Sequence, residues 1–207
     1  MKRSLLVAAG AGILVLTLSG AGALAALDAW LPGFAAQHRS PGLTSALGVL
    51  SDLHDTDAIL MAAAVVAAVL ALRRSWDWLL TFVLAQGGGM LLNVVVKAAY
   101  ARDRPDAAGA LAHATYYSFP SGHTNAAALF YAMLCVLAFE HGLPRRLRPW
   151  LVAGAASMVL CVAFSRVYLG VHYPSDVVGA LGEACAWLAF SLALHAGGRP
   201  TRHDKAH

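Results

Sequence analysis

The stretch WLLTFVLAQGGGMLLNVVV, from Trp78 to Val96, contains 19 consecutive residues without a charged side chain. A helix of about 20 mostly apolar residues crosses the hydrocarbon core of a bilayer. Comparable segments precede and follow it, and shorter ones can span when their flanking residues help. We therefore predict an all-α, polytopic membrane helical bundle with six transmembrane helices, at Leu5 to Leu27, Ala58 to Leu72, Trp78 to Val96, Asn125 to Phe139, Trp150 to Phe164 and Val177 to Ala196. The shorter segments are expected to extend into the polar residues beside them.

The composition excludes an ordinary soluble domain, because 59% of the 207 residues are hydrophobic and only 13% are charged. A net charge of +4 could indicate nucleic-acid binding, but the basic residues lie in short loops beside apolar segments, as topology signals do. We expect membrane lipids, and no nucleic acid, as partners. Cys135, Cys161 and Cys185 lie inside apolar segments and are odd in number, so no disulfide framework or metal site is expected from them.

The N-terminal part of the chain allows two interpretations of its first apolar segment. Two basic residues followed by an apolar run also describe a secretory signal peptide, but this run exceeds the usual length of a signal core, which favours a retained helix. Between residues 28 and 57, two prolines indicate a loop, and Leu43, Leu47 and Leu50 recur at helical spacing. We interpret residues 28–57 as an extracytoplasmic loop with an interfacial amphipathic helix.

The distribution of basic residues predicts the orientation in the membrane. They cluster at the N-terminus, at residues 73–74, at residues 145–148 and near the C-terminus. Because such clusters stay in the cytoplasm, we expect a multi-pass cell (inner) membrane protein with both termini cytoplasmic and the intervening polar segments outside. Lys97, Arg104 and Arg166 lie on the expected outer side, contrary to the positive-inside bias of basic residues, which is explained if they bind a ligand. The bias does not explain Arg39 and Arg102.

Lys97 ends the third apolar segment and Arg104-Pro105 follows it after a short turn. An ammonium point charge and a planar guanidinium fork together bind phosphate well. Taken alone, this block also fits a lysine that reaches the membrane rim and an arginine that sets topology.

The second polar block, Pro120-Ser121-Gly122-His123, precedes the fourth apolar segment. Proline suits the first turn of a helix, and glycine permits close approach of the backbone to a ligand. The free N–H groups of a helix N-terminus attract an anion, so amides near Ser121 and Gly122 are candidates for holding phosphate oxygens. Alone, the block is also a common turn before a helix.

The third block places Ser165-Arg166 at the end of the fifth segment and His172 and Asp176 before the sixth. The last two are four residues apart, which puts them on one face if a helix begins there. A carboxylate beside an imidazole fixes its tautomer and leaves the other nitrogen free to attack. The alternative is a structural pair in which Asp176 caps the helix.

Zinc binding is a rival chemistry, because His123, His172 and Asp176 are all possible zinc ligands. Three cations gathered at one site would repel a divalent metal and already supply the electrostatic stabilisation that a metal would give. We therefore expect neither a metal nor a cofactor.

In identity, spacing and order, the three blocks resemble the signature motifs of the type 2 phosphatidic acid phosphatase (PAP2) superfamily, at Lys97 with Arg104-Pro105, at Pro120-Ser121-Gly122-His123, and at Ser165-Arg166 with His172 and Asp176. The resemblance covers about Trp78 to Ala196, which would be the catalytic core (78–196) of a single PAP2-like membrane domain over residues 1–207.

This resemblance implies a metal-independent phosphatase that acts through a phosphohistidine. It implies that His172 is the nucleophile, that Asp176 orients it and that His123 protonates the leaving oxygen. It also implies phosphate-binding roles for Lys97, Arg104, Ser121, Gly122 and Arg166.

The expected substrate is a lipid phosphate or diphosphate, because the head of such an amphiphile lies at the membrane rim. Undecaprenyl diphosphate and phosphatidylglycerophosphate or phosphatidate are the leading choices. A lipid phosphotransferase and a non-hydrolytic transporter or binding protein for phospholipid phosphates remain as alternatives. The His172 and Asp176 pair argues against a mere binder, which has no need of a nucleophile.

Overall fold

The computed structural model describes residues 24–105, 109–112 and 116–198. Within these ranges the secondary structure is helical and contains no β-strand, which confirms the predicted all-α class. The helices are α1 (Ala25–Gln37), α2 (Pro41–Asp52), α3 (Thr56–Leu72), α4 (Trp76–Val83), α5 (Gly89–Tyr100), α6 (Gly122–Glu140), α7 (Arg148–Tyr168) and α8 (Pro174–Gly198). A π-helical turn, Leu84–Gly88, joins α4 to α5, and a 3₁₀ turn, Arg145–Leu147, precedes α7.

Four continuous helical stretches are long and apolar enough to cross a bilayer: Trp76–Tyr100, Gly122–Glu140, Arg145–Tyr168 and Pro174–Gly197. Helices α2 and α3 meet at 49° and together make a fifth candidate if they act as one bent span. The predicted span at Leu5 to Leu27 lies outside the described residues except for its last four positions, so six spans stay a prediction. The expected extension of the helices into their flanking motifs is confirmed, since α6 begins at Gly122 and α7 ends at Tyr168.

The outer faces of these helices carry large apolar side chains. Leu72 is 85% exposed and Trp150 is 76% exposed, and many aliphatic side chains between them are also turned outward. Such a surface is unfavourable in water and suits lipid. The inner faces pack into a buried core that includes Ile59, Phe82 and Met133, from α3, α4 and α6.

The loop predicted from residue 28 onward is wrong for its first part, because α1 runs through Pro32 to Gln37. Packing against α7 and α8 outweighs the hydrogen bond that a proline removes. The predicted helix near Leu47 is confirmed as α2, which begins with Ser40 as its cap. Leu47 packs in a small core with Tyr168 at the end of α7.

Small residues bring the α4–α5 stretch against its neighbours. A Cβ added to Gly88 would lie 2.6 Å from the Trp187 ring of α8, and one added to Gly89 would lie 2.3 Å from Leu129 of α6. Gly88 and Gly89 therefore allow α6 and α8 to pack closely against this stretch. Gln86 also donates a hydrogen bond of 3.3 Å to the carbonyl of Ala126, as expected for a polar side chain between membrane helices.

Candidate active site

The three polar blocks meet at one end of the bundle. Lys97 lies in the last turn of α5, His123 in the first turn of α6, and Arg166 in the last turn of α7. Asp176 lies in the first turn of α8. The blocks also touch, since Lys97 Nζ donates a 2.7 Å hydrogen bond to the carbonyl of Pro120. The structure therefore brings together residues that are up to about 80 positions apart in the chain.

His172 and Asp176 form the buried pair expected from their spacing. His172 Nδ1 lies 3.2 Å from Asp176 Oδ2, and the two residues are 2% and 0% exposed. The same carboxylate oxygen accepts hydrogen bonds from the backbone N–H of Tyr173 at 2.8 Å and from the hydroxyl of Ser118. Because an ionised carboxylate only accepts, Nδ1 must carry the ring proton, and Nε2 keeps its lone pair.

The surroundings lower the pKa of His172 from its ordinary value to about 4. Burial is the largest cause, because the charged ring loses its water, and nearby Arg104 and Arg166 lower the pKa further. Asp176 opposes them and raises it. The imidazole is therefore neutral at physiological pH, which is the form that can act as a nucleophile.

Arg104 lies directly in front of that lone pair, with Nη1 at 3.4 Å from His172 Nε2. Its guanidinium is fixed by backbone carbonyls, donating to Tyr116 at 2.6 Å, to Val171 at 2.7 Å and to Tyr117 at 3.3 Å. Lys97 Nζ donates to the carbonyl of Tyr117 at 3.0 Å in addition to that of Pro120. Lys97 is thus held by the segment that leads into α6, and Arg104 is held by that segment and by the loop between α7 and α8.

Arg166 is nearly buried, at 2% exposure, and donates a hydrogen bond from Nη1 to the hydroxyl of Ser51 at the end of α2. Its Nε is also buried and has no hydrogen-bond partner within the described residues. A buried guanidinium with unused donors is unfavourable unless an anion completes it. This geometry fits the phosphate-binding role expected of Arg166.

The second block lies across the start of α6. Ser121 is buried, and its backbone N–H donates to the carbonyl of Asp176 at 3.0 Å. Phe119 fixes this segment, because its ring packs on Gly179 of α8, where an added Cβ would lie 2.4 Å from the ring. His123 follows within electrostatic range of both His172 and Arg166. The block therefore places the N-terminus of α6 and a second imidazole beside the His172 pair.

Three contributors to the site were missed by sequence reasoning. Ser51 and Ser118 hold Arg166 and Asp176, but an isolated serine in a loop or at a helix end carries no signal of its own. Arg102 donates to Asp176 Oδ1 at 2.8 Å. Its position against the positive-inside bias was the signal that could have found it.

Glu183 lies in α8, at 1% exposure. Its Oε2 accepts hydrogen bonds from Asn93 at 2.8 Å and from Asn125 at 3.1 Å. The carboxyl group thus joins α5, α6 and α8 within the bundle. Across the described ranges, no three side chains of His, Cys, Asp or Glu are grouped so that they could hold a metal ion.

An open cleft of about 490 Å³ adjoins the site. It is lined by Arg102, Asp103, Arg104, Tyr116 and Tyr117. Two arginines and two tyrosines give it polar and aromatic walls. Arg104 therefore forms a wall of this cleft and also lies 3.4 Å from His172 Nε2.

Comparison with known proteins gives matches over the same region. The sequence profile of the PAP2 superfamily matches residues 78–197. Phosphatidylglycerophosphatase B of Bacillus subtilis is 40% identical over 124 residues, which are 58% of this chain and 58% of that protein. Decaprenylphosphoryl-5-phosphoribose phosphatase of Mycolicibacterium smegmatis is 35% identical over 147 residues, covering 67% of this chain and 71% of that one.

The crystal structure of the transmembrane PAP2-type phosphatidylglycerolphosphate phosphatase from Bacillus subtilis superposes with a TM-score of 0.82. The superposition covers 93% of this chain and 98% of that chain at 27% sequence identity. The similarity therefore extends beyond the motifs to nearly the whole helical arrangement.

Proposed function

The chain belongs to the PAP2 superfamily, and from this membership and the geometry of the site we propose that it is an integral-membrane lipid phosphatase acting through a phosphohistidine on His172. One observation carries the proposal. His172 Nε2 is an unprotonated nitrogen oriented by Asp176, and it lies 3.4 Å from a guanidinium nitrogen of Arg104. A phosphoryl group held by that guanidinium is placed against the nucleophilic nitrogen.

In the first step, the lone pair of His172 Nε2 attacks phosphorus and the bond to the leaving oxygen breaks. His123, which the bound phosphate anion keeps in its charged form, donates a proton to that oxygen and becomes neutral. The ring of His172 becomes positively charged as the N–P bond forms, and Asp176 stabilises this charge through the Nδ1 hydrogen bond. In the second step, water gives a proton to His123 and attacks phosphorus, the N–P bond breaks, and phosphate leaves.

Lys97, Arg104 and Arg166 stabilise the negative charge on the equatorial oxygens during both displacements. The backbone N–H of Gly122 and the hydroxyl of Ser121 add donors at the terminus of α6, while the Ser121 N–H is already bonded to the carbonyl of Asp176. Together these groups provide the charge compensation that other phosphatases obtain from metal ions. We therefore expect activity in excess chelator.

The substrate proposed is a lipid phosphate or diphosphate, with undecaprenyl diphosphate and phosphatidylglycerophosphate or phosphatidate as the leading choices. Relatives named phosphatidylglycerophosphatase B and undecaprenyl-diphosphatase support this class. The cleft beside Arg104 accommodates a polar head, and the apolar outer faces of the helices accommodate the tail in lipid. We place the protein in the inner membrane with its termini in the cytoplasm and its active site outside, because the basic clusters flank the opposite helix ends.

The test is phosphate release by the purified protein in detergent, with each of these lipids, in the presence of EDTA. Phosphate release with excess EDTA, together with a base-stable and acid-labile label on the protein from ³²P-labelled substrate, is the expected result. Adding an acceptor lipid to parallel reactions detects transfer of the phosphoryl group to lipid in place of water.

His172→Ala and His141→Ala are matched variants for this test. His141 follows the opposite end of α6, and the described hydrogen bond of its ring joins Nδ1 to the carbonyl of Leu137 at 2.8 Å. We expect His172→Ala to lose turnover and label while His141→Ala keeps both. Turnover that survives in His172→Ala, or that depends on an added divalent metal, would contradict the proposed mechanism.

A further inference from the structure

Arg102 contacts the face of the catalytic carboxylate that is turned away from His172. Its Nη1 donates to Asp176 Oδ1 at 2.8 Å and to the hydroxyl of Ser175 at 2.6 Å. The guanidinium also lies over the ring of Tyr173, with 4.2 Å from its central carbon to the ring centroid. Arg102 is thus fixed in position and in plane, although its side chain is 30% exposed.

Asp28 of α1 holds the other end of the same guanidinium. Arg102 Nη2 lies 2.9 Å from Asp28 Oδ2. The carboxylate of Asp28 also accepts hydrogen bonds from the backbone N–H of Ser175 at 2.9 Å and from the Ser175 hydroxyl. Asp28 is 9% exposed, so this ion pair is formed largely out of water. It links α1 to the first turn of α8, where Asp176 lies.

We propose that Arg102 and Asp28 are positioning residues for the reaction, which together fix the orientation of Asp176 toward His172 while leaving its negative charge unopposed. This inference rests on the proposed function, because it concerns the nucleophile of that reaction. It assigns a role to two residues that are not signature positions, since Asp28 lies outside the three motifs and Arg102 lies between Lys97 and Arg104.

Orientation follows from how the two oxygens of Asp176 are used. Oδ2 accepts from His172, Tyr173 and Ser118, and Oδ1 accepts from Arg102. With a donor on each side, rotation of the carboxylate would break hydrogen bonds to a charged group in a buried position, which is strongly unfavourable. Arg102 therefore holds Oδ2 in line with His172 Nδ1.

Charge balance follows from Asp28. A lone guanidinium beside Asp176 would cancel part of the negative charge that supports a positive His172 ring. Asp28 lies on the opposite side of the guanidinium and neutralises it, so the pair adds geometry with little net field. The other charged or titratable groups that act on His172 are Arg104, Arg166, Asp176 and His123, and none of them is altered in the test below.

The test is the acidic limb of kcat/KM against pH for a single substrate, which reports ionisation of the free enzyme. Arg102→Met removes a cation, so the limb should move to higher pH by about one unit. Asp28→Asn removes an anion, so the limb should move to lower pH. The double variant removes one charge of each sign and should return the limb to its wild-type position.

The same variants separate geometry from charge through kcat. Arg102→Met should lower kcat about 10- to 100-fold, because Asp176 Oδ1 loses its donor. The double variant should keep this loss even though its limb is restored. Arg102→Lys retains the charge without the two-pronged contact, so its limb should stay in place while kcat falls, and it carries the test if Arg102→Met does not fold.

Arg39→Met is the matched control, because Arg39 is another arginine near the same loops and its described hydrogen bonds go to the carbonyls of Gly109 and Tyr168. The acidic limb of kcat/KM against pH should not move in this control variant. Suppose that turnover by the wild type requires His172. If the acidic limb then stays fixed in both Arg102→Met and Asp28→Asn, this inference alone is overturned. A wild type without His172-dependent turnover would overturn the proposed function and this inference together.

Discussion

Replacing Asp176 with asparagine separates the hydrogen bonds of this carboxylate from its charge. The side chain is fully buried, and its Oδ2 accepts from three donors while Oδ1 accepts from Arg102. An amide group must place its NH₂ toward one side or the other. Directed at the Oδ2 side, it would oppose three donors, and directed at the Oδ1 side it would oppose only Arg102. We therefore expect the NH₂ of the introduced asparagine to face Arg102.

This orientation determines the size of the effect. The Nδ1–H of His172 still finds an oxygen, so the reactive tautomer is retained. What is lost is one hydrogen bond to a charged group, about 1.5–3 kcal/mol, which corresponds to about 10- to 150-fold in rate. Loss of the negative charge beside the developing imidazolium moves the expected decrease in kcat toward the upper end, about 10². An inverted tautomer would instead lower the rate by about 10⁴.

The assay compares kcat and the melting temperature in detergent for Asp176→Asn, Asp176→Ala and Asp57→Asn. Alanine leaves the three donors on the Oδ2 side without an acceptor, so it should lower both quantities more than asparagine does. Asp57 is an exposed acid in the first turn of α3 and serves as the matched control, with little change expected. A loss near 10⁴ for Asp176→Asn, or equal destabilisation by asparagine and alanine, would refute this account of the carboxylate.

Three further predictions concern pH, the two imidazoles and topology. The pKa of His172 falls from about 6.5 in an unfolded chain to about 4 in the fold. Between these two pH values the unfolded state binds more protons, so the melting temperature should fall as the pH drops from the higher value to the lower. His172→Gln should reduce that fall, and an identical pH dependence in the variant would contradict the assignment. His123→Ala should lower lipid turnover by about 10²–10⁴ and be partly rescued by a nitrophenyl phosphate, whose leaving group needs little protonation, whereas His172→Ala should not be rescued. Rescue of His172→Ala but not of His123→Ala would reverse the roles. In a cysteine-free background, an impermeant thiol reagent added to intact cells should label Tyr116→Cys and spare Arg146→Cys, and the opposite pattern would invert the proposed orientation.

Local spacing was sufficient to predict several positions in the candidate site. His172 and Asp176 are four positions apart beside a helix start, and the observed helix α8 begins between them, at Pro174. The helix ends next to Lys97 and Arg166 were predicted in the same way, from the positions where the apolar segments stop. Patterns of this kind are local, because they depend on helix periodicity and on the boundary between apolar and polar residues.

The partners of these residues could not be predicted in the same way. Ser51 contacts Arg166 from 115 positions away, and Arg102 contacts Asp176 from 74 positions away. Contacts over such separations depend on how helices pack, and one sequence contains no periodic signal for them. The helix α1 was mistaken for a loop for the same reason, since Asp28 gains its partners only when α1 lies against α8.

The carbonyl contacts of Lys97 and Arg104 have a consequence for affinity. A free lysine or arginine side chain loses rotational freedom when it closes on a ligand, at about 0.5–1.5 kcal/mol for each side chain. Here the carbonyls of Tyr117 and Pro120 hold Lys97, and Arg104 is bound at three carbonyls. That entropy is therefore lost during folding and not during binding, so a greater share of the electrostatic attraction to phosphate remains as binding free energy.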